Sequence, residues 1–144
     1  MAAISKATAT WEGDLIHGGG KVRPESETFE ELPVSWVHRA ERSKAHTSPE
    51  ELLAAAHASC FCMALSNGMG KVGLEHISLE TSAEVTFVPG TGVTKSHLTV
   101  RGAADGLKAA QFKELAEAAK AGCPISGALK GNVEITLHAE LLKD

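Results

Sequence analysis

The sequence predicts an α+β domain in which mostly antiparallel sheets surround a buried central helix. Three observations support this class. Several segments alternate apolar and polar residues, one long segment is nearly free of charge, and a second amphipathic segment is followed by Gly122 and Pro124. The predicted element order is βββ-α-ββ-α-β, which fits a single domain over residues 1–144.

The first third of the chain predicts three strands. Alternation over residues 7–11 indicates the first strand, and residues 15–22 return as the second. Residues 32–39 indicate a third strand, which Pro33 places at the edge of a sheet because proline cannot donate to a neighbouring strand. We expect the charged residues 39–46 to form a surface loop.

The central helix has a clear predicted start. Ser48 can cap it, Pro49 suits the first helical position, and Glu51 completes a capping box. The residues that follow are apolar on nearly every side, and we expect Gly68 and Gly70 to end the helix. A helix that is apolar all round is expected to be buried all round. Since one chain of this length can hardly enclose it, we predict that a partner subunit covers part of it.

The second half of the chain predicts a hairpin, a helix and a last strand. Residues 77–87 alternate, and residues 94–101 pair back with Leu98 and Val100 pointing inward. An amphipathic helix is predicted from Asp105 to residue 121. We expect Gly122 to stop this helix and Pro124 to prevent its resumption, with a final strand at residues 133–141.

The composition is ordinary for a globular protein and excludes several function classes. Of 144 residues, 43% are hydrophobic and 22% are charged, which excludes general disorder and collagen-like structure. A formal net charge of −4 and an aromatic content of 4% argue against nucleic-acid binding.

The sequence also favours a cytoplasmic protein that does not span a membrane. Three cysteines do not make a disulfide scaffold, and the N-terminus lacks the apolar segment of a signal peptide. The longest uncharged run, residues 52–69, contains His57 and other polar side chains and is a poor candidate for crossing a bilayer. In the cytoplasm the thiols are reduced at rest, so thiol chemistry becomes a plausible use for them.

The three cysteines are the main candidates for chemistry. Cys60 and Cys62 point about 200° apart on a helix and cannot bond to each other, and each cysteine, Cys123 included, could simply be a small buried hydrophobe. A reactive thiolate needs a nearby cation, for which Arg39 and His57 are the local candidates. We interpret His57 as a buried core histidine bonded to a backbone or side-chain acceptor. Arg39 could be oriented by a carboxylate, or it could be a solvated surface charge.

Two motifs resemble those of a known family. The stretch TSPEELLAAAHASCF at residues 47–61 resembles the first signature of the OsmC/Ohr family of thiol-dependent hydroperoxide reductases, and KAGCPIS at residues 120–126 resembles its second. TWEGD at residues 10–14 is similar to the N-terminus of the OsmC branch. The sequence departs from the expected pattern at Ser48, where asparagine is usual, and at Cys62, where a small residue such as serine is usual.

The resemblance implies an OsmC/Ohr-like fold formed by an intertwined homodimer, with one active site at or near the interface. It places the peroxidatic cysteine on Cys60, the resolving cysteine on Cys123, the helix-start carboxylate on Glu50 and the arginine on Arg39. Alternative positions for the arginine are the two residues Arg23 and Arg42.

The implied reaction reduces organic hydroperoxides to alcohols through a sulfenic acid and an intrachain disulfide, in defence against oxidative or osmotic stress. No metal, haem or flavin is required, but an external dithiol or lipoyl-type reductant must restore the thiols. Phe61 and Met63 are expected to line an apolar substrate site. No nucleic acid or membrane is expected as a partner.

The spacing of the site residues adds one constraint. Glu50 and Cys60 are about 15 Å apart along an unbroken helix, too far for Arg39 to bridge both within one straight element. Either the helix is broken between them, or the partner subunit completes the site.

Three other functions remain open from the residues. Cys60 and His57 could form a cysteine hydrolase, which would not need Cys123. The three cysteines and a histidine could bind a metal or sense redox state, although the spacing is unlike that of structural zinc sites. The same fold could also serve as a stress protein that binds a small apolar ligand without catalysis.

Overall fold

The computed structural model describes residues 1–142, and its chain divides into two compact units, Met1–Pro49 and Glu50–Asp144. The prediction of one domain over residues 1–144 stays a prediction. The elements, in order, are β1 (Ala7–Glu12), β2 (Gly19–Pro24), β3 (Leu32–Val34), α1 (Trp36–Ala40), α2 (Pro49–Lys71), β4 (Ser78–Val88), β5 (Gly92–Ala103), α3 (Ala109–Gly122), α4 (Pro124–Leu129) and β6 (Glu134–Leu141).

The first unit contains a three-stranded antiparallel sheet in the order β1-β2-β3, which confirms Pro33 on an edge strand. The second strand begins later than predicted, because Asp14 O accepts the Gly18 N–H at 2.9 Å and closes a turn before it. The prediction of strand structure up to residue 39 was wrong. Ser35 Oγ accepts the His38 N–H at 3.2 Å and begins helix α1, so Arg39 lies on a helix.

Helix α2 begins at Pro49, as predicted, but it continues through Gly68 and Gly70 to Lys71. Its end is set by Gly73, which has a positive φ of 83°. The Gly73 N–H bonds to Gly70 O at 3.0 Å and the next N–H, of Leu74, bonds to Met69 O at 3.1 Å. This pair of bonds is a Schellman motif, in which glycine adopts the left-handed conformation without steric cost.

Helix α2 buries one stripe within the chain rather than all its faces. Its buried side chains after the first turn recur every fourth position: His57, Phe61, Leu65 and Met69. Met63, on another face, is 71% exposed, so the expected burial on every face is not met within one chain.

By length and composition alone α2 could cross a bilayer, contrary to the sequence expectation, although the core helix of a soluble protein meets the same criterion.

The second unit packs α2 and α3 against the sheet β4-β5-β6. Strands β4 and β5 form the predicted antiparallel hairpin, whereas β6 lies parallel to β5. The central strand supplies Leu98 and Val100 to the core, and both are fully buried as predicted. The other buried apolar members of this core are Phe61, Leu65, Met69, Phe112, Ala116, Ala119 and Cys123.

Two predictions around α3 were wrong. The helix begins at Ala109 rather than at Asp105, whose N–H bonds to Glu75 O at 3.0 Å and whose carboxylate lies 2.6 Å from His76 Nδ1. Pro124 does not prevent further helix, because it occupies the first position of α4, where a missing N–H costs nothing. The chain therefore turns sharply at Cys123 between two helices.

Candidate active site

Two of the predicted site residues, Cys60 and Cys123, meet in the core of the second unit. Cys60 lies in the middle of α2, half-buried, and packs against the core cluster that contains Cys123. Cys123 is only 1% exposed and stands at the junction of α3 and α4, where its N–H bonds to Ala119 O at 2.8 Å. Both thiols are free, as is that of Cys62.

The two thiols influence each other's protonation. Burial is the largest effect on Cys60 and raises its pKa, and the hydrogen bond of its thiol with Cys123 raises the pKa further, against the lowering effect of the Ile125 N–H. Burial also opposes ionisation of Cys123. The Ser126 N–H, the Cys60 thiol, the Ser126 hydroxyl and the Ile125 N–H together outweigh burial, so the pKa of Cys123 is lowered.

Of the two thiols, Cys123 is therefore the one that loses its proton more readily, and Cys60 is the one that keeps it. The Cys123 side chain makes no regular capping hydrogen bond to α4, yet the N–H groups of the first turn of that helix lower its pKa. Ionisation of Cys60 in its place requires additional positive charge beside it.

His57 does not supply that charge. Its side chain is fully buried, with Nδ1 2.7 Å from Ser96 Oγ and Nε2 2.9 Å from Ser126 Oγ. Burial lowers the pKa of His57, so the ring is neutral at neutral pH. The interpretation as a bonded core histidine is confirmed. Because both ring nitrogens already have hydroxyl partners, the geometry argues against His57 as the base of a cysteine hydrolase.

The other two predicted site residues are placed in different units. Glu50 is buried in the first turn of α2, and Arg39 lies on α1 with its guanidinium carbon 6.0 Å from the centre of the Trp36 ring. The pairing of Arg39 with Glu50 stays a prediction. Since α2 is continuous from Pro49 to Lys71, the option of a helix broken between Glu50 and Cys60 is excluded.

An apolar cavity of about 190 Å³ lies beside Arg39 in the first unit. The residues that line it are Trp11, Leu15, Val34, Ser35, Trp36, Arg39 and Pro49. Phe61 and Met63, which are expected from the sequence at the substrate site, do not line this cavity: Phe61 is fully buried in the core of the second unit, and Met63 is 71% exposed in the single chain. Trp36 stands three residues before Arg39 in the sequence, but nothing in the sequence placed Trp11 at the same cavity.

Cys62 has a local structural partner. Its Sγ donates to Thr81 Oγ1 at 3.0 Å, which ties α2 to β4. Within residues 1–142, no group of three or more histidine, cysteine, aspartate or glutamate side chains is arranged to hold a metal ion. The metal-binding hypothesis therefore finds no ligand set in that part of the chain.

Sequence reasoning missed Ser96 and Ser126. Both are buried serines that become partners of His57 only in the folded chain, 39 and 69 residues away along the sequence. Ser126 stands in the second motif, directly after Pro124 and Ile125, so its nearness to Cys123 was visible. Its bond to His57 was not.

Two free thiols, those of Cys60 and Cys123, affect each other's pKa in the second unit, an arrangement typical of thiol-based redox sites. Comparison with known proteins agrees with this class. Residues 42–138 match the family described as OsmC-like protein. The chain belongs to this family.

Individual relatives extend the match. The chain is 41% identical to Peroxiredoxin OsmC of Escherichia coli K12, covering 98% of this chain and 99% of that protein. It is 28% identical to Organic hydroperoxide resistance protein OhrA of Bacillus subtilis 168 over 83% of this chain and 86% of that one.

Solved structures share the fold. An organic hydroperoxide resistance protein OsmC of Legionella pneumophila, described as a predicted redox protein, superposes with a TM-score of 0.69 at 25% identity, over 96% of this chain and 99% of that one. An organic hydroperoxide resistance protein of Elizabethkingia anophelis gives a TM-score of 0.71 at 21% identity, over 99% of this chain and 100% of that one. The predicted α+β fold of the OsmC/Ohr type is confirmed.

Proposed function

We propose that this protein is a thiol-dependent peroxidase that reduces organic hydroperoxides to alcohols by a two-cysteine mechanism. The observation that carries the proposal is the contact between two reduced thiols, Cys60 and Cys123, which alter each other's pKa in the core of the second unit. The names of the relatives, a peroxiredoxin and organic hydroperoxide resistance proteins, support the same chemistry.

In the proposed first step the Cys60 thiolate attacks the O–O bond of the hydroperoxide. A sulfur–oxygen bond forms, the O–O bond breaks, and the leaving alkoxide takes a proton to become the alcohol. In the second step the Cys123 sulfur attacks the Cys60 sulfenic acid, and water leaves as the disulfide forms. An external dithiol, of the lipoyl type or another, then reduces the disulfide and becomes oxidised itself.

Arg39 and Glu50 are proposed to activate Cys60. Burial raises the pKa of Cys60, so its thiolate needs the positive charge that a guanidinium provides. Glu50 is buried, and a buried carboxylate is stable only when hydrogen-bond donors or positive charges surround it. A carboxylate can hold an arginine side chain by two hydrogen bonds, which suits Glu50 to orient Arg39. The same guanidinium would stabilise negative charge on the peroxide oxygens.

We further propose that the active protein is a homodimer in which the partner subunit completes each site. Helix α2 is continuous and separates Glu50 from Cys60 by about 15 Å. One Arg39 side chain does not span that distance to contact both residues. The apolar surface of α2 that the chain leaves exposed, including Met63 at 71%, would be covered in such a dimer. Three cysteines do not make a disulfide scaffold, which favours the cytoplasm as the place of action.

A thiol titration tests the mechanism directly. Free thiols of denatured protein are counted before and after one equivalent of cumene hydroperoxide per chain, for the wild type, Cys60→Ser, Cys123→Ser and the control Cys62→Ser. We expect the wild type to lose two of its three thiols. Cys62→Ser should lose both of its thiols, and Cys60→Ser should lose none.

The intermediate provides a second check. Cys123→Ser should stop at a sulfenic acid, which a dimedone label would trap, or become overoxidised. A wild type that keeps all three thiols would refute the peroxidase proposal. A Cys123→Ser variant with full turnover on a monothiol would leave the peroxidase but refute the intrachain disulfide.

A further inference from the structure

A buried chain of hydrogen-bonding side chains leads from the central strand to Ser126, three residues after Cys123. Ser96 on β5 lies 2.7 Å from His57 Nδ1, and His57 Nε2 lies 2.9 Å from Ser126 Oγ. Ser96 and His57 are 0% exposed, Ser126 is 4% and Cys123 is 1%. No part of this chain is open to solvent, so its hydrogen bonds are strong and its geometry is fixed by three packed elements.

Ser126 lies close to Cys123 along the chain. Cys123 precedes the first residue of α4, and Ser126 is the third residue of that helix. Residues three positions apart are neighbours across one turn of a helix, so Ser126 lies next to Cys123, although the Cys123 side chain makes no regular capping hydrogen bond to α4. In agreement with this spacing, the Ser126 hydroxyl is one of the groups that lower the pKa of Cys123.

The ring of His57 decides in which direction the Ser126 hydroxyl points. A neutral imidazole carries one proton. With that proton on Nε2, the ring donates to Ser126 Oγ, accepts from Ser96 at Nδ1, and leaves the Ser126 hydroxyl hydrogen available for the Cys123 sulfur. With the proton on Nδ1, the ring donates to Ser96 and takes the Ser126 hydrogen, so that Ser126 Oγ can only accept from the Cys123 thiol. The first tautomer suits a thiolate and the second suits a thiol.

We propose that His57 and Ser126 are positioning residues for the resolving step: His57, held by Ser96, orients the Ser126 hydroxyl to stabilise the Cys123 thiolate as it attacks the sulfenic acid of Cys60. This inference rests on the two-cysteine mechanism proposed above. In the step, the S–S bond forms and the S–O bond of the sulfenic acid breaks. The proton released by Cys123 joins the departing hydroxide as water, and His57 gains no net charge.

The step matters because the sulfenic acid has two competing fates. Attack by Cys123 yields a disulfide that a dithiol can reduce, whereas a second peroxide molecule yields an irreversible sulfinic acid. A slower resolving step therefore shifts the product from disulfide to sulfinic acid without changing the first reaction with peroxide.

The test separates the two steps by single-turnover kinetics and mass spectrometry with cumene hydroperoxide. In Ser126→Ala we expect sulfenic acid formation at the wild-type rate and disulfide formation about ten- to hundredfold slower, the effect of one lost hydrogen bond to a charged group. Sulfinic acid should accumulate when peroxide is in excess. Ser126→Thr keeps a hydroxyl and should restore the disulfide rate, and the exposed Ser82→Ala is the matched control.

A pair of histidine variants gives an independent test if Ser126→Ala folds poorly. The amide nitrogen of His57→Gln can reach the position of Nε2 and still donate to Ser126, whereas that of His57→Asn corresponds to Nδ1 and leaves Ser126 without its partner. The asparagine variant should therefore resolve more slowly than the glutamine variant.

Four outcomes would overturn the inference. Disulfide formation at the wild-type rate in Ser126→Ala would show that the hydroxyl is irrelevant. An equal slowing of both steps, with a lowered melting temperature and no rescue by threonine, would assign Ser126 a purely structural role. A wild type that forms sulfenic acid but no disulfide would remove the resolving step, while a wild type that does not react with peroxide at all would refute the proposed function as well.

Discussion

Gly102 lies where β5 packs closely against β4 and α3. It is on β5 opposite Leu79 of β4, and the Phe112 ring of α3 packs over it. A Cβ at this position would stand 2.7 Å from Leu79 Cδ2, 2.7 Å from Phe112 Cζ and 3.0 Å from Phe112 Cε2. Its backbone does not have a positive φ, so alanine is allowed by conformation and excluded only by the neighbouring side chains.

We expect Gly102→Ala to destabilise the protein by about 1–3 kcal/mol. Carbon atoms in contact prefer separations of roughly 3.5–4.0 Å, so the new methyl group must displace the Phe112 ring, Leu79 or both. Phe112 is 1% exposed and has no open space to move into, which places the cost in the range observed when a packed core receives an extra methyl group.

The matched control is Gly70→Ala. Gly70 is exposed in the last turn of α2, and a Cβ there would meet no atom within 4 Å. Alanine has the higher helix propensity, so this variant should gain about 0.5–1 kcal/mol. The same chemical change at two glycines is thus expected to have opposite signs.

Urea unfolding followed by circular dichroism gives the free energy of unfolding of both variants. Phe112→Leu and the double variant Gly102→Ala/Phe112→Leu complete a double-mutant cycle. Because the smaller leucine relieves the contact, the double variant should be more stable than the sum of the single effects predicts, by about 1 kcal/mol. A Gly102→Ala protein as stable as the wild type, or single effects that simply add, would refute the steric explanation.

Three further predictions concern the site. Burial lowers the pKa of His57 below its ordinary value of 6.5, so at a pH below about 6.5 the unfolded chain binds a proton that the native state excludes. The free energy of unfolding of the wild type, measured with urea, should therefore fall as the pH drops below about 6.5, and the difference in this free energy between wild type and His57→Gln should stop changing with pH above that value. Cys62→Ser keeps a donor for Thr81 and should retain wild-type peroxide turnover within about twofold in a coupled dithiol assay, whereas a larger loss would assign Cys62 a part in the reaction. Arg39→Ala should slow sulfenic acid formation at Cys60 by roughly 10²–10³-fold, the usual effect of removing one charge-stabilising donor, measured by stopped flow; a comparable loss in Arg23→Ala instead would show that the arginine was assigned to the wrong position.

Much of the fold follows from local patterns in the sequence. The β4–β5 hairpin was predicted from the sustained alternation over residues 77–87 and from the pairing of residues 94–101 with it, which leaves little ambiguity about period or face. The start of α2 was predicted from Ser48 and Pro49, since capping preferences act within one turn of helix. Errors came from short signals: Ser35 begins a helix of only five residues, and Asp105 bonds elsewhere instead of capping α3.

The sequence by itself determined the family, the two cysteines and the long apolar helix, because each is carried by contiguous residues whose spacing has direct physical meaning. Only the tertiary structure decided what surrounds the sulfur atoms. Ser96, His57 and Ser126 come together from β5, α2 and α4 across separations of 39 and 69 residues. No local sequence pattern encodes such contacts, because these residues become buried only when the core of the second unit forms. The neutral state of His57 and the lowered pKa of Cys123 both depend on that folded environment.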